Sequence, residues 1–408
     1  MKTVALARRA MATRFEILLY GEDEVRLRAA GEEALDEVER LEAHLSLYRP
    51  ASEISRINTL AFREPVRVEP SLFRLLQRAQ RLHGETGGTF DITIAPLVRC
   101  WGFMGGTGKM PDAEQVAAAR ARVGMEWVEL RVEGFTVRFL KEGMMIDLGA
   151  IGKGYAVEQA AEILREAGVA SALIHGGTST VHAIGAPPDA QVWKVAVQSP
   201  DAVSMSLQSP SASDTLARSQ ELGPQRESQS VPPHPGPLSQ GEGVSSCAVR
   251  RTELVGMVDV RAALPTLPAG EGRGEGEQPL EPPSGKGLPS HRPPSGSILA
   301  VVDLKDEAMS VSALHGRSFS AGGKTYGHVI DPKSGYPVQH AQLAAVVLPS
   351  ATETDALSTA LLTVGPVGHK QILNLRPRMR TLLACRVEAT DELSIEVNGI
   401  SPRSQFSP

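Results

Sequence analysis

Hydrophobic and polar positions switch along the chain between a period of two and a period near 3.6. MATRFEILLYG, residues 11–21, reads as a strand that ends at Gly21. Residues 24–48 carry Leu35, Val38, Leu41, Leu45 and Tyr48 at spacings of three and four, which predicts an amphipathic helix. Ser71 is placed to cap a second helix with Leu72, Leu75, Leu76, Ala79 and Leu82 on its buried face, and Gly84 to end it. Pro111 and Asp112 open a third, closed by Gly124, and WVELRVEGFTVRFL alternates around Glu133-Gly134 as a hairpin does. Val157, Ala160, Ala161 and Leu164 mark another amphipathic helix, after which VASALIHGGTST reads as a strand running into a glycine turn. Further on come strand-like ILAVVDL, TYGHVI and LAAVVL, then a helix starting near Thr352. The pattern predicts a mixed α/β (α+β) chain.

One stretch breaks the pattern. Asp201 to Gly296 holds 14 Pro and 12 Gly in 96 residues and none of the seventeen aromatic residues of the 408-residue chain. Pro and Gly at that level without a collagen period predict low complexity or disorder, since such a segment cannot bury enough apolar surface to offset the entropy of ordering. It half-repeats itself, GPLSQGEG at 236–243 echoed by LPAGEGRGEGE at 267–277. Within it only Glu253 to Leu264 is apolar enough for a marginal strand or helix. The segment is either an insertion in a folded domain or a linker between two domains.

The net charge of −5 carries no basic stripe, so no nucleic-acid partner is expected. No apolar run approaches the roughly 20 residues of a membrane span. Arg8 and Arg9 interrupt the short apolar start, leaving too little for a secretory signal, and the sequence as written is expected in the cytoplasm. Cys100, Cys247 and Cys385 show neither a CxxC spacing nor a disulfide framework.

Three stretches carry candidate chemistry. In MMIDLGAIGKGYAVEQAAEILREAG, residues 144–168, an apolar run ends at Asp147, and Gly149, Gly152 and Gly154 surround Lys153 where a helix begins. Close-approaching backbone, a helix N-terminus and a lysine suit phosphate, although neither a P-loop nor GxGxxG is matched. Read alone, the stretch also fits a tight strand–helix turn with a solvated lysine. In TYGHVIDPKSGYPV, residues 325–338, Asp331 to Gly335 is a turn sequence, and His328 at the strand end is either a general base or a packed strand histidine. In ATETDALSTALLTVG, residues 351–365, Asp355 and Thr359 stand four apart on one helical face. Two hard oxygens suit Mg²⁺, and the helix dipole explains an early acidic residue equally well.

Taken together and in order, these stretches, with MATRF, SLYRPASEISRIN, TGGTFDITIAPLVRCWGF and the GG turn followed by Trp193, resemble the FAD:protein FMN transferase (ApbE) family. The resemblance spans about 300 residues on both flanks and skips only the Pro/Gly-rich segment, favouring an insertion. It implies an ApbE-like flavin transferase fold, with residues 1–200 and 297–408 as two parts of one catalytic domain around a disordered 201–296. It also implies a reaction: FAD is the substrate, its FMN moiety passes to a Ser or Thr hydroxyl of an acceptor protein, and AMP leaves. Carried over residue by residue, Met11, Tyr48, Thr89, Phe90, Asp91, Asp147, Lys153 and Ile330 would contact FAD, and Asp355, Thr359 and the Ala150 carbonyl would hold Mg²⁺. His328 is the first candidate for the base that activates the hydroxyl, and Asp331 the second.

Three departures stand against the family pattern. Gly152 precedes the lysine where Ala is commoner, Thr178 follows the GG turn where Asp is usual, and Ser310-Val311-Ser312-Ala313 replaces a Ser-Thr-Ser-Gly run. Two other readings stay open: an FAD pyrophosphatase that gives FMN and AMP, with water in place of the protein hydroxyl, and a non-catalytic flavin-binding protein, to which Thr178, the altered serine run and the insertion point.

Overall fold

Strands buried on both faces form the middle of the molecule, which explains why LAAVVL and SALIHG read as continuous apolar runs rather than alternating ones. The computed structural model describes residues 1–200, 258–259, 298–314, 317–387 and 392–402. The first half contains β1 (Lys2–Ala10), β2 (Thr13–Gly21), α1 (Glu24–Leu45), α2 (Glu53–Leu60), β3 (Val66–Arg67), α3 (Pro70–Glu85), α4 (Ala95–Cys100), α5 (Ala113–Arg120), β4 (Val128–Arg131) and β5 (Thr136–Phe139). Next come α6 (Gly152–Glu166), β6 (Ser171–Gly176), β7 (Thr180–Ile184), β8 (Trp193–Gln198) and β9 (Val258–Asp259). The chain continues through β10 (Ile298–Leu304), β11 (Ala308–Ala313), β12 (Ser318–Ala321), β13 (Lys324–Gly327) and β14 (Leu343–Leu348). It closes with α7 (Ala351–Leu373), β15 (Arg380–Arg386) and β16 (Leu393–Asn398).

Eight strands make one antiparallel sheet in the order β1-β2-β6-β7-β11-β14-β15-β16. Strand β7 lies before the Pro/Gly-rich segment and β11 after it, yet they pair, with His182 opposite Ala308 and Thr180 opposite Ser310. One face of the sheet sends Phe15, Ile17, Leu19, Ala344 and Val346 against the helices. The other sends Leu18, Tyr20, Ala345 and Val347 against Trp193, Val195 and Val302 of the smaller β10-β8-β9 sheet. The expected disorder of 201–296 lies outside the described residues except at β9, which falls inside the marginal Glu253–Leu264 stretch and pairs with β8.

Several local expectations needed correction, the first being the helix read over 24–48, which ends at Leu45 and leaves Tyr48 outside it. A strand, β1, precedes the one read from the sequence and pairs with it through a turn at Met11 and Ala12, both at positive φ. Helix α3 starts at Pro70 behind Glu69, not behind Ser71, because proline at the first turn needs no N–H partner, and it runs one residue past Gly84. Helix α2 went unread: it buries only Ile54 and Ile57, though Ser52 caps it through the Ser55 N–H at 3.0 Å. Finally TYGHVI is strand only to Gly327, and beyond it Ile330 makes an isolated bridge to Pro337. The Asp112 cap of α5 and the hairpin at Gly134 are as expected. Among the described residues no helix is long and apolar enough to cross a membrane.

An ionic network locks α3, α6 and α7 together. Glu158 accepts from Arg78 Nη1 at 2.7 Å, Ser350 Oγ at 2.5 Å and the Thr352 N–H at 2.9 Å. Glu353 accepts from Arg81 Nη2 at 2.8 Å and Arg376 Nε at 2.7 Å. Burial alone would raise both carboxyls, but the arginines hold both below their ordinary 4.5. Their contribution to stability is therefore full above that value and lost as pH falls through the lower folded one. Glu353→Gln should cost about 2 kcal/mol near neutral pH, since hydrogen bonds to a charged group are severed. Thermal unfolding followed from neutral pH to about pH 3 checks this, because the gap between variant and parent must shrink on the acid side.

Candidate active site

Helix α6 begins where the glycine-rich turn abuts the first turns of α7. A Cβ on Gly154 would stand 2.2 Å from the Ala351 carbonyl oxygen and 2.6 Å from Asp355 Cβ, so only glycine lets the two backbones come this close. At that contact the Gly154 N–H donates to Asp355 Oδ2 at 2.9 Å. The Ala150 carbonyl, four residues earlier, consequently accepts no hydrogen bond among the described residues. Asp355 is buried, and among the described residues no donor reaches its Oδ1. Burial pushes its carboxyl above the ordinary value, against the pull of Lys153 and the Gly154 N–H. A carboxylate with one oxygen free of protein donors, tied through Gly154 to the turn whose Ala150 carbonyl is also free, is a hard-oxygen donor set that fits Mg²⁺. Thr359 Oγ1, one turn on, donates to the Asp355 carbonyl at 3.3 Å and lies 3.0 Å from Ser312 Oγ, leaving lone pairs for an ion.

Lys153 joins this junction to a second group of residues. Its Nζ donates to the Gly149 carbonyl at 3.1 Å, and its charge reaches Asp147, Asp355 and His328 alike. Burial raises the Asp147 carboxyl despite the Gly149 N–H at 2.8 Å, Lys153 and Arg317. Burial lowers the His328 imidazole, and Lys153 and Arg317 push it the same way against a hydrogen bond to the Arg317 backbone. His328 is nonetheless an exposed residue, so a substrate can reach it. Its place follows from a hairpin: Ser318 pairs with Gly327, which sets Arg317 beside His328. That hairpin is fixed by Phe319 and Tyr326, which stack on each other and pack on Trp101. The Trp101 indole N–H then donates to the Gly335 carbonyl at 2.8 Å and pins the DPKSG turn.

The other expected contacts are scattered around this centre. Asp331 is spent on its own turn, accepting from the Lys333 and Ser334 N–H groups, which weakens it as the second candidate base. Asp91 accepts from Thr93 N–H and Oγ1 at 2.7 and 2.6 Å and lies 3.2 Å from His83 Nδ1. It borders an open cavity of about 520 Å³ that reaches Pro332 and Lys333. The Asp147 N–H bonds to the Ile92 carbonyl at 2.7 Å, tying the Thr89–Asp91 segment to the glycine turn. The Phe90 and Ile330 side chains are buried in apolar clusters, and the Phe90 backbone is itself engaged, its N–H donating to Thr86 Oγ1 and its carbonyl lying 3.2 Å from His83 Nδ1. Thr89 Oγ1 donates to the Thr86 carbonyl at 3.0 Å. Met11 sits at the tip of the β1–β2 turn, and Tyr48, 58% exposed, lies in the α1–α2 connection.

The match to known proteins is extensive. A family model described as the ApbE family covers residues 11–221 and 279–383. The chain belongs to the ApbE family. A protein of Klebsiella pneumoniae named FAD:protein FMN transferase is 24% identical over 376 residues, covering 90% of this chain and 79% of that one. One of the same name from Haemophilus influenzae is 24% identical, covering 89% and 81%. Among solved structures, the ApbE protein of Thermotoga maritima superposes with a TM-score of 0.67 at 21% identity, covering 98% of this chain and 97% of that one. The apo flavinyl transferase ApbE of Pseudomonas stutzeri gives 0.65 at 21%, covering 98% and 95%. The architecture is thus the ApbE fold, with the family pattern carried by both sides of the Pro/Gly-rich segment.

One residue of the centre escaped the motif reading, and two more were read only as part of a departure from the family pattern. Arg317 lies in no recognisable pattern, and only the hairpin register brings it to His328 and Asp147. Ser310 and Ser312 had a signal: two residues apart on a strand, they share a face. That face looks onto α7, where Ser310 Oγ lies 2.8 Å from Thr354 Oγ1 and Ser312 Oγ 2.8 Å from Ser358 Oγ. The altered serine run of this ApbE chain therefore still supplies hydroxyls to the helix that bears Asp355 and Thr359.

Proposed function

We propose that this chain is an FAD:protein FMN transferase that works with Mg²⁺ and releases AMP. The observation that carries the reading is the hydrogen bond from Gly154 to Asp355, which joins the glycine–lysine turn to the Asp/Thr helix across 201 residues of sequence. The activity named for the relatives gives the reaction class.

Asp355, Thr359 Oγ1 and the Ala150 carbonyl would hold Mg²⁺, which when bound supplies charge neutralisation at the pyrophosphate. Lys153 and Arg317 add fixed positive charge near His328 and disfavour a protonated imidazole beside them. His328 therefore stays neutral at pH 7 and accepts the proton of the acceptor's Ser or Thr hydroxyl. The hydroxyl oxygen bonds to the flavin-side phosphorus as the bond from that phosphorus to the bridging oxygen breaks, and AMP leaves with that oxygen. Asp147 helps to orient the bound dinucleotide. Residues 1–200 and 297–408 act in this reading as one catalytic domain interrupted by 201–296.

Chromatography of the nucleotides tests the reading: AMP should appear from FAD only when both Mg²⁺ and an acceptor are present. AMP with free FMN and no acceptor would instead indicate the pyrophosphatase, and bound FAD without AMP a binding protein. His328→Ala should lower transfer about 10²-fold, the usual contribution of a positioned base. The parent's acid limb should lie below pH 6.5, because the folded imidazole is lowered from that value. Undiminished transfer by His328→Ala between about pH 6 and 9 rules out this role.

A further inference from the structure

Three helix ends meet away from the α6–α7 junction. His44 lies in the last turn of α1, Glu53 in the first turn of α2, and Glu69 at the N-cap of α3, where it makes no capping bond. One ligand atom from each lies within 4.8 Å of the other two. His44 Nδ1 is 3.4 Å from Glu69 Oε2 and 3.9 Å from Glu53 Oε2. Atoms bound at about 2.1 Å to one tetrahedral ion stand about 3.4 Å apart, so the cluster is already near ligand spacing.

Two of these atoms are orphans. His44 Nδ1 and Glu53 Oε2 are shut off from solvent and have no hydrogen-bond partner among the described residues. Native interiors rarely leave such atoms unpaired. An imidazolium between the two carboxylates would make ion pairs at 3.4 and 3.9 Å, yet it would leave Nδ1 without a hydrogen bond, a need that an ion at the centre meets. Glu53 is also held for the purpose. Its Oε1 accepts from the Glu69 N–H at 3.1 Å and Arg56 Nη2 at 3.2 Å, and Arg56 is itself anchored on the Arg67 carbonyl at 2.6 Å. Those outer bonds leave Oε2 facing the cluster, as hydrogen bonds around a metal ligand do. Arg40 approaches Glu69 Oε2 only at 3.4 Å and keeps its shorter bonds, 2.7 and 2.8 Å, for Glu37. An open cavity of about 600 Å³ borders all three side chains, giving an ion and its water a way in.

We propose that His44, Glu53 and Glu69 bind a divalent transition ion, Zn²⁺ in preference to Mg²⁺, at a site independent of the FMN-transfer chemistry. One imidazole nitrogen with two carboxylates is a borderline donor set, suited to Zn²⁺ with water as fourth ligand, whereas Mg²⁺ favours oxygen alone. The ion would fasten both ends of the α1–α2 connection, the segment that carries Tyr48.

The test uses the full chain without a histidine tag, stripped by a chelator and titrated with Zn²⁺ against a competing chromophoric chelator. The parent and Asp355→Asn should each bind one Zn²⁺ per chain with equal affinity. His44→Ala and Glu69→Gln should each bind at least about 100-fold more weakly, since loss even of an outer partner costs 10–100-fold. The unfolding temperature of the parent should rise with added Zn²⁺, and that of the two variants should not. Glu69→Gln, at a partly exposed cap position, keeps the test decisive if His44→Ala folds poorly. No stoichiometric Zn²⁺ in the parent, or binding that survives both ligand substitutions, or binding lost in Asp355→Asn alone, overturns the proposal.

Discussion

Asp355→Asn is expected to lower FMN transfer about 10²–10³-fold, or roughly 3–4 kcal/mol of barrier, the usual loss when one charge-stabilising contact is removed. The fold should not suffer. Asparagine keeps an oxygen for the Gly154 N–H, and it removes a buried charge that burial already disfavours. The unfolding temperature should therefore stay level or rise while activity collapses, a pairing that separates a chemical role from a structural one. FAD binding in the absence of Mg²⁺ should be little changed, because the lost group is assigned to the ion. The measurements are steady-state transfer, thermal unfolding and FAD titration on one preparation. Transfer within about threefold of the parent would remove Asp355 from the mechanism.

Gly154→Ala should do the opposite to the fold and the same to the chemistry. The added methyl meets the Ala351 carbonyl oxygen, a backbone atom that cannot swing aside, so α6 and α7 must separate. Overpacking of this kind costs about 1–3 kcal/mol, and the backbone contact places this case at the upper end. Separation also breaks the Gly154–Asp355 hydrogen bond and moves the carboxylate from the Ala150 turn, so transfer should fall at least as far as in Asp355→Asn. Gly152→Ala is the matched control. Its Cβ would meet only Leu148 Cβ at 3.7 Å, ordinary contact, and φ there is not positive. It should be neutral or stabilise by up to about 1 kcal/mol by narrowing the unfolded ensemble. Equal tolerance of both substitutions, judged by unfolding temperature and transfer rate, would show that the close approach of α6 and α7 is not what assembles the centre.

What could be read from the sequence followed the range of each signal. Helices with a wide apolar face were legible, as Leu35, Val38 and Leu41 of α1 show, because the period repeats over several turns. Helix α2 was not, since two buried isoleucines in eight residues carry almost no period. Strand β1 was hidden because it is an edge strand whose residues are mostly exposed. Within the candidate centre, Lys153, His328 and Asp355 stood out through their motifs, and the structure brings the Lys153 charge within reach of both the others. Arg317 did not stand out, because its relation to His328 is a matter of hairpin register. The engagement of Asp331 with its own turn is likewise a three-residue geometry that the DPKSG letters permit without dictating. The His44–Glu53–Glu69 cluster unites three helix ends, and no local pattern announces it.

FMN transfer requires the glycine–lysine turn and the Asp/Thr helix to act together on FAD, and mass spectrometry of an acceptor is the decisive test. A Ser- or Thr-containing acceptor peptide is incubated with the protein, FAD and Mg²⁺, and the peptide is weighed beside an Asp355→Asn reaction. The account predicts one FMN added per peptide, AMP released in equal amount, and neither product with the variant. A peptide that gains no mass while FAD is split, or one that gains FMN equally well with Asp355→Asn, contradicts it.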